Sequence, residues 1–460
     1  MASKQCHIMV FPWLAFGHMI PFLELSKKLA EKGIRISFIS TPRNIQRLPS
    51  IPSNLAGNIK FVQIPLPSVH GLPENCEASI DLQQGKIQYL KKACDMLQAP
   101  FEKLVHKDPP DLILFDFIQC WVPETAAKFG VPTVFFSAYS ASTLCFLGQP
   151  DELKFFQKRT KIEDFAVPPK WLPFPSMVSQ RPDQAAQMFR KLKFPDISGM
   201  SSGQRWAATL EGCDYVAVRS CMEFEGAFLG CLEELYQKPI LPVDYSPEVL
   251  TFHWLDKQGP KSVVFVGFGS EYKMPIEQVH ELAYGVELSE LPFIWILRKP
   301  GVSSSELLPD GFLARISNRG KVCLDWAPQL EILTHPAIGG CLFHSGWGSI
   351  NESLGFGHAQ ILMPMVSDQG LNAKLLVEKG IGFEVQRNID GSFNRDVVAK
   401  SMRLVMVDKE GEPLRLKAGQ MKTIFGNQNL HENYIKDFIH YMGIYQQKGH
   451  QMPIKDAEKL

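Results

Sequence analysis

Gly340-Cys-Leu-Phe-His344-Ser-Gly-Trp347-Gly-Ser349-Ile-Asn-Glu352 reads as a strand ending at His344, a glycine-containing turn, and a helix that starts between Trp347 and Ser349. The residues before the histidine carry no charge and no polar alternation, the pattern of a strand covered on both faces. A strand that feeds a helix through a short turn is the repeating unit of a doubly wound parallel sheet. The first N–H groups of such a helix have no partner within it, and that end of its dipole is positive. A diphosphate suits this spot. His344 and Ser349 add side-chain donors, and Glu352, on the same helix face as Ser349, can accept both hydroxyls of a ribose.

The same rhythm extends in both directions. His7-Ile-Met-Val-Phe11 is a buried-type strand, Phe22, Leu25 and Leu29 fall at helical spacing, and residues 35–39 make the second strand of a βαβ unit. Further strands are expected over 60–64, 111–115, 132–136 and 215–218, and, after Leu241-Pro-Val-Asp-Tyr-Ser-Pro247, over 262–266, 293–297, 321–324, 340–343 and 360–363. Residues 149–204 break the rhythm and are expected to form loops and helices over a cleft. There Phe155, Phe156, Trp171 and Phe174 are candidates either to line a pocket or to pack on the domain body.

The expected organisation is an α/β chain with a first domain over 1–241, a second over 242–430, and a terminal helical stretch over 431–460 that crosses back to the first. Two doubly wound halves joined by a Pro-containing linker predict a ligand cleft where the C-terminal ends of both sheets converge.

Composition narrows the function. The chain has 460 residues, enough for two full cores, with 45% apolar and 21% charged residues. Lys and Arg number 48 and so do Asp and Glu, so no charge excess points to nucleic acid or an anionic membrane. Ten scattered cysteines without a Cys-x-x-Cys pair suit reduced thiols in the cytoplasm. The apolar run over 8–16 is too short to span a bilayer. The expectation is a cytoplasmic monomer that binds small molecules.

Around the opening stretch, a nucleotide sugar finds a chemically suitable group for each of its parts. Trp326 offers a flat face to a uracil ring, with Ala327 beside it and Gln329 to read the ring's polar edge. His344, Trp347, Gly348 and Ser349 frame the diphosphate turn, Glu352 meets the ribose, and Asp368 with Gln369 supply donors and acceptors for sugar hydroxyls. From Trp326 to Gln369 this segment resembles the signature box of plant UDP-dependent glycosyltransferases, including its usual 44-residue span. The likeness continues through Trp254-Leu-Asp256, Gly267-Phe-Gly269-Ser270 and the first βαβ unit, so it covers nearly the whole chain. It implies a GT-B fold, two Rossmann-like domains facing each other across a cleft. It also implies an inverting mechanism, Ser270 as a further donor contact, and no metal or other cofactor beyond the UDP-sugar. The sequence contains no Asp-x-Asp pair to hold a divalent ion on phosphates. Two positions depart from the family box: Ser345 stands for the usual Cys, and Gly348 for the usual Asn, which removes a side chain near the phosphate or sugar.

An acceptor hydroxyl is a weak nucleophile at neutral pH, so transfer needs a base. His18 follows the first strand, and Asp116 ends a strand expected to run parallel to it, placed to fix the imidazole tautomer. Both match the family's catalytic positions. Competing patterns are weaker. Gly199-Met-Ser201-Ser-Gly203 fits a hydrolase nucleophile elbow but follows no buried strand. Gly267-Phe-Gly269 lacks the third glycine of a dinucleotide fingerprint. Asn351-Glu-Ser353 is a glycosylation sequon inside the expected donor helix and is taken as accidental.

Phe11-Pro-Trp13, Ser40-Thr-Pro-Arg-Asn44 and Gly346-Trp-Gly348 resemble the family branch that extends sugar chains on natural-product glycosides. This implies a sugar hydroxyl of a terpenoid, steroid or flavonoid glycoside as acceptor, and the terminal Gln369 implies UDP-glucose as donor. UDP-rhamnose, UDP-xylose or an aglycone acceptor are the alternatives. From another class, a binding protein that has lost turnover is the competing reading.

Overall fold

The computed structural model describes residues 5–244, 254–269, 271–297, 304–324, 327, 329–388 and 390–448. The chain forms two compact units, one of residues 1–162, 187–245 and 429–460, the other of residues 163–186 and 246–428.

The first unit is built on seven parallel strands: β1 (His7–Phe11), β2 (Arg35–Ser40), β3 (Ile59–Gln63), β4 (Leu112–Phe115), β5 (Thr133–Ser137), β6 (Tyr215–Val218) and β7 (Ile240–Pro242). Their order is β3-β2-β1-β4-β5-β6-β7. Every residue of β1, β4, β5 and β6 is buried, which is why these segments read as unbroken apolar runs: helices cover both faces of the sheet. The helix Phe16–Glu31 lays Phe22, Leu25 and Leu29 into a core shared with Ile8, Val10, Phe38 and Phe136. The long helix Gln428–Lys448 completes that core with Ile435 and Phe438, and its Glu432 pairs with Lys32 at 2.5 Å.

The second unit carries six parallel strands: β8 (Val263–Gly267), β9 (Phe293–Ile296), β10 (Gly320–Cys323), β11 (Ile338–Phe343), β12 (Ala359–Leu362) and β13 (Gly382–Glu384), in the order β10-β9-β8-β11-β12-β13. Trp295, Phe293, Leu342, Ile361, Met363 and Val398 lie in its core.

In both sheets the chain runs outward to one edge, returns to the centre, and runs to the other edge. The order therefore reverses between β1 and β4 in the first unit and between β8 and β11 in the second. At such a reversal the following loops diverge to opposite faces and leave a crevice beyond the strand ends. Phe11 pairs with Phe115, and Gly267 with Phe343, at the two crevice mouths.

Strand ends differ from the sequence expectation by a residue or two, an ordinary uncertainty of strand termini. Two strands escaped it altogether. β7 and β13 have three residues each and lie at sheet edges, too short for any periodicity to register. β7 ends on Pro242, tolerated where no neighbour needs an N–H. Residues 149–204 hold the helices Pro150–Phe155 and Pro182–Lys193, a 3-10 turn Ile162–Phe165, and the start of the helix Ser202–Gly212, with no strand. Ser201, the centre of the elbow-like pattern, caps that last helix by accepting from the Gln204 amide.

Candidate active site

His18 sits in the first turn of the helix that follows β1, and Asp116 is the first residue after β4, so the order reversal brings them together from 98 positions apart. His18 Nδ1 lies 2.8 Å from Asp116 Oδ2. The carboxylate is 1% exposed. It also accepts the Phe117 amide at 2.8 Å and the Trp13 amide at 3.2 Å, three donors in all, so its position is fixed by both strand ends. An acceptor-only carboxylate on Nδ1 requires the proton to reside there, which makes Nε2 the basic nitrogen.

Aromatic rings surround the pair. Tyr139 meets the imidazole edge-on at 5.2 Å between centroids, Phe117 lies at 6.2 Å, and Phe117 stacks on Trp206 at 4.4 Å. None of these three stands out in the sequence, because each comes from a different loop or helix and only the fold collects them.

In the second unit the helix Trp347–Gly355 begins where the opening sequence motif places it, directly after β11, with Gly346 at the N-cap. Gly346 has no side chain with which to cap the first turn, and a helix start of this kind suits an anion. Two glycines shape the site around His344. A Cβ on Gly346 would stand 2.5 Å from His344 Nε2, and one on Gly269, whose φ is +65°, would stand 2.8 Å from the same atom. The imidazole therefore lies between two bare backbone segments, one from each strand end at the crevice. Burial lowers its pKa to about 4, partly opposed by a hydrogen bond that the ring donates to the Gly267 backbone, so it is a neutral donor at cellular pH.

Gln329 Nε2 reaches Glu352 Oε2 at 2.8 Å and Ser349 Oγ at 3.4 Å, which gathers three of the expected donor residues into one cluster. The Trp347 side chain is 3% exposed and Ala327 is 6% exposed. Gly348 lies in the first turn of the helix. Ser270 and Trp326 fall outside the described residues.

Asp368 is the N-cap residue of the helix Gln369–Glu378. Gln369 Oε1 accepts the amides of both Met365 and Val366 at 2.9 Å. Two backbone donors on one atom identify it as the oxygen, so only the NH2 side of Gln369 can address a ligand. The sequence reading assigned Asp368 and Gln369 donors and acceptors jointly; the geometry narrows Gln369 to a donor. Asn372, fully buried and absent from the sequence expectations, donates to Asp368 Oδ2 at 2.7 Å and to the Ser345 carbonyl at 3.1 Å, tying the turn after β11 to the Asp368 loop. Its spacing of four from Asp368 on one helix is the pattern that could have revealed it. Phe155 is 63% exposed and Phe156 is 6% exposed with its ring against Phe189, while Trp171 and Phe174 fall in the segment that groups with the second unit.

Among the described residues no group of three or more His, Cys, Asp or Glu is arranged to hold a metal, and no helix is long and apolar enough to cross a membrane.

Comparison with known proteins bears on this geometry. Residues 243–410 match the family model described as UDP-glucoronosyl and UDP-glucosyl transferase. The chain is 44% identical over 453 residues to UDP-glycosyltransferase 91C1 of Arabidopsis thaliana, covering 96% of this chain and 97% of that protein. It is 38% identical to the soyasaponin III rhamnosyltransferase of Glycine max, covering 95% of each. The crystal structure of Glycyrrhiza uralensis UGT73P12, complexed with glycyrrhetinic acid 3-O-monoglucuronide, superposes with a TM-score of 0.78 at 22% identity, covering 97% of each chain. Full-length identity of this level, the parallel-sheet pair of a GT-B fold and the helix-start turn agree: the chain belongs to the plant UDP-glycosyltransferase family.

Proposed function

We propose that this glycosyltransferase moves glucose from UDP-glucose onto a sugar hydroxyl of a terpenoid, steroid or flavonoid glycoside, with inversion at the anomeric carbon. The observation that carries the chemistry is the 2.8 Å pairing of His18 Nδ1 with Asp116. His18 Nε2 takes the acceptor's hydroxyl proton as that oxygen bonds to the anomeric carbon. The bond from that carbon to the diphosphate breaks, and UDP leaves with the electron pair. Asp116 stabilises the imidazolium formed in the step.

On the donor side, the amides at the start of the Trp347–Gly355 helix and neutral His344 hold the diphosphate and offset the charge that grows on it. Glu352, aligned by Gln329, takes the ribose hydroxyls, and Trp326 stacks on uracil with Ala327 and Gln329 at its rim. Ser270, Trp347, Gly348 and Ser349 complete the diphosphate contacts. Asp368 accepts from sugar hydroxyls while Gln369 donates to one.

Gln369 at the end of the box supports glucose, and the relative named soyasaponin III rhamnosyltransferase supports a glycosylated acceptor while making UDP-rhamnose the second reading of the donor. The ten cysteines are scattered along the sequence without a Cys-x-x-Cys pair, which supports a cytoplasmic location. The test is mass spectrometry of products from UDP-glucose, UDP-rhamnose and UDP-xylose, each offered with paired aglycones and their glucosides. A hexose added to glucosides in preference to aglycones supports the proposal; transfer only to aglycones, or only from UDP-rhamnose, sends it to the alternatives.

A further inference from the structure

Residues 176–184 belong to the second unit although they precede its sheet by some eighty positions, and nothing in the donor box anticipates them. They run alongside the helix Gln369–Glu378 from one end to the other. At its C-terminal end, Ser176 Oγ and the Met177 amide both bond to Glu378 Oε2, at 2.8 and 2.6 Å. Midway, Arg181 Nη1 lies 3.3 Å from Glu384 Oε1, and the other oxygen of Glu384 holds Lys374 of that helix at 2.8 Å. At the N-terminal end, Gln180 Nε2 donates to the Ser367 carbonyl at 3.0 Å and Gln184 Nε2 to the Met365 carbonyl at 2.9 Å.

These last two contacts fall on the loop that presents Asp368 and Gln369. Met365 is held from both sides: its N–H goes to Gln369 and its carbonyl to Gln184. Ser367 takes a φ of +64°, a left-handed conformation that a serine adopts at a cost and keeps only when its surroundings enforce it. Gln180 and Gln184 are 2% and 8% exposed, so their amides are desolvated polar groups that need these bonds. Gly370 leaves the room they occupy, since a Cβ there would stand 2.7 Å from Gln184 Oε1 and 2.9 Å from Gln180 Oε1.

We infer that residues 176–184 are a strap that positions the Asp368–Gln369 pair, with Gln180 and Gln184 as positioning residues that set which donor sugar is accepted. The inference rests on the reading of Asp368 and Gln369 as sugar contacts. The strap's contacts fall on the Asp368–Gln369 loop, which meets the phosphate turn only indirectly through Asn372, so loosening it changes recognition of the sugar more than recognition of UDP.

The experiment replaces each glutamine by methionine, which keeps length and volume but removes the donor. KM for UDP-glucose and for UDP-xylose, kcat, and the inhibition constant of UDP are measured with one acceptor. The expected result is a rise of about tenfold in KM for UDP-glucose in Gln184→Met and Gln180→Met, the scale of one lost buried hydrogen bond. The preference between the two donor sugars narrows by a similar factor, and UDP inhibition stays within about twofold of wild type. Glu378→Ala, which releases the far end at an exposed contact, shifts the same quantities less and in the same direction. Unchanged KM and sugar preference in all three variants, or a parallel loss of UDP affinity, overturns the strap. Gln369→Glu, run beside them, separates the two levels: if it is silent, the sugar reading of the loop is wrong and the strap falls with it. If it raises KM for the intact donor while the methionine variants do not, only the strap is wrong.

Discussion

Asp116 Oδ2 stands 2.8 Å from His18 Nδ1 and also receives the Trp13 amide, so the carboxylate that orients the imidazole is itself held by the turn that carries the histidine. Asp116→Asn therefore disturbs more than charge. The amide NH2 cannot accept from both Nδ1–H and a backbone N–H, and the imidazole turns to the wrong tautomer. A fall in kcat of about 10²- to 10⁴-fold is expected, with UDP affinity unchanged. Steady-state kinetics with calorimetric titration of UDP checks it; a loss below tenfold would show that the tautomer is set by something else.

Gln369→Glu keeps the oxygen that Met365 and Val366 need and removes the NH2. The loop should survive while the intact donor loses one hydrogen bond and meets a new negative charge. KM for the UDP-sugar is expected to rise tenfold or more, as is typical of losing a charge-compatible contact, roughly 1.5–3 kcal/mol. UDP itself should inhibit as before. Gln369→Ala is expected to do worse, because it also strips the loop amides of their acceptor.

Gly346→Ala places a methyl 2.5 Å from His344 Nε2 in a backbone conformation that alanine tolerates, at φ −67°. The imidazole must move off the helix start. UDP affinity should fall by about tenfold or more, the scale of one misplaced donor to a charged phosphate. Thermal unfolding should shift little. An unchanged UDP affinity would mean that His344 does not serve the diphosphate.

The acid side of the stability profile follows from two buried histidines. Burial depresses both His344 and His358 from 6.5 to about 4. Above pH 6.5 neither folded nor unfolded chain protonates them and they contribute no slope. Between 6.5 and about 4 the unfolded chain takes up protons that the folded one refuses, so stability falls with pH, by about 1.4 kcal/mol per pH unit for each, and levels below 4. His358→Gln, which can still donate to the Leu333 carbonyl that His358 Nε2 now meets at 2.6 Å, should make the decline shallower. Urea titrations at pH 7, 6 and 5 read this directly.

The two sheets were largely legible because every central strand is buried on both faces and so appears as an apolar run; β7 and β13 were not, since three residues at an edge leave no pattern. His18, Asp116 and the helix start at Trp347 were legible because each follows a strand directly, where chain order predicts position. Gln180, Gln184 and Tyr139 were not. Their partners lie 187, 181 and 121 positions away, and no local spacing encodes such meetings. The division of labour in Gln369, oxygen to the loop and NH2 outward, likewise depends on a turn that only the folded chain makes.

The central claim is that imidazole 18 serves the chemical step and not nucleotide binding, and His18→Ala tests it on one sample measured two ways. Titration calorimetry should give a UDP dissociation constant within about twofold of wild type, while product formation from UDP-glucose falls by about 10³-fold or more. Turnover close to wild type, or UDP affinity lost in step with activity, contradicts the account.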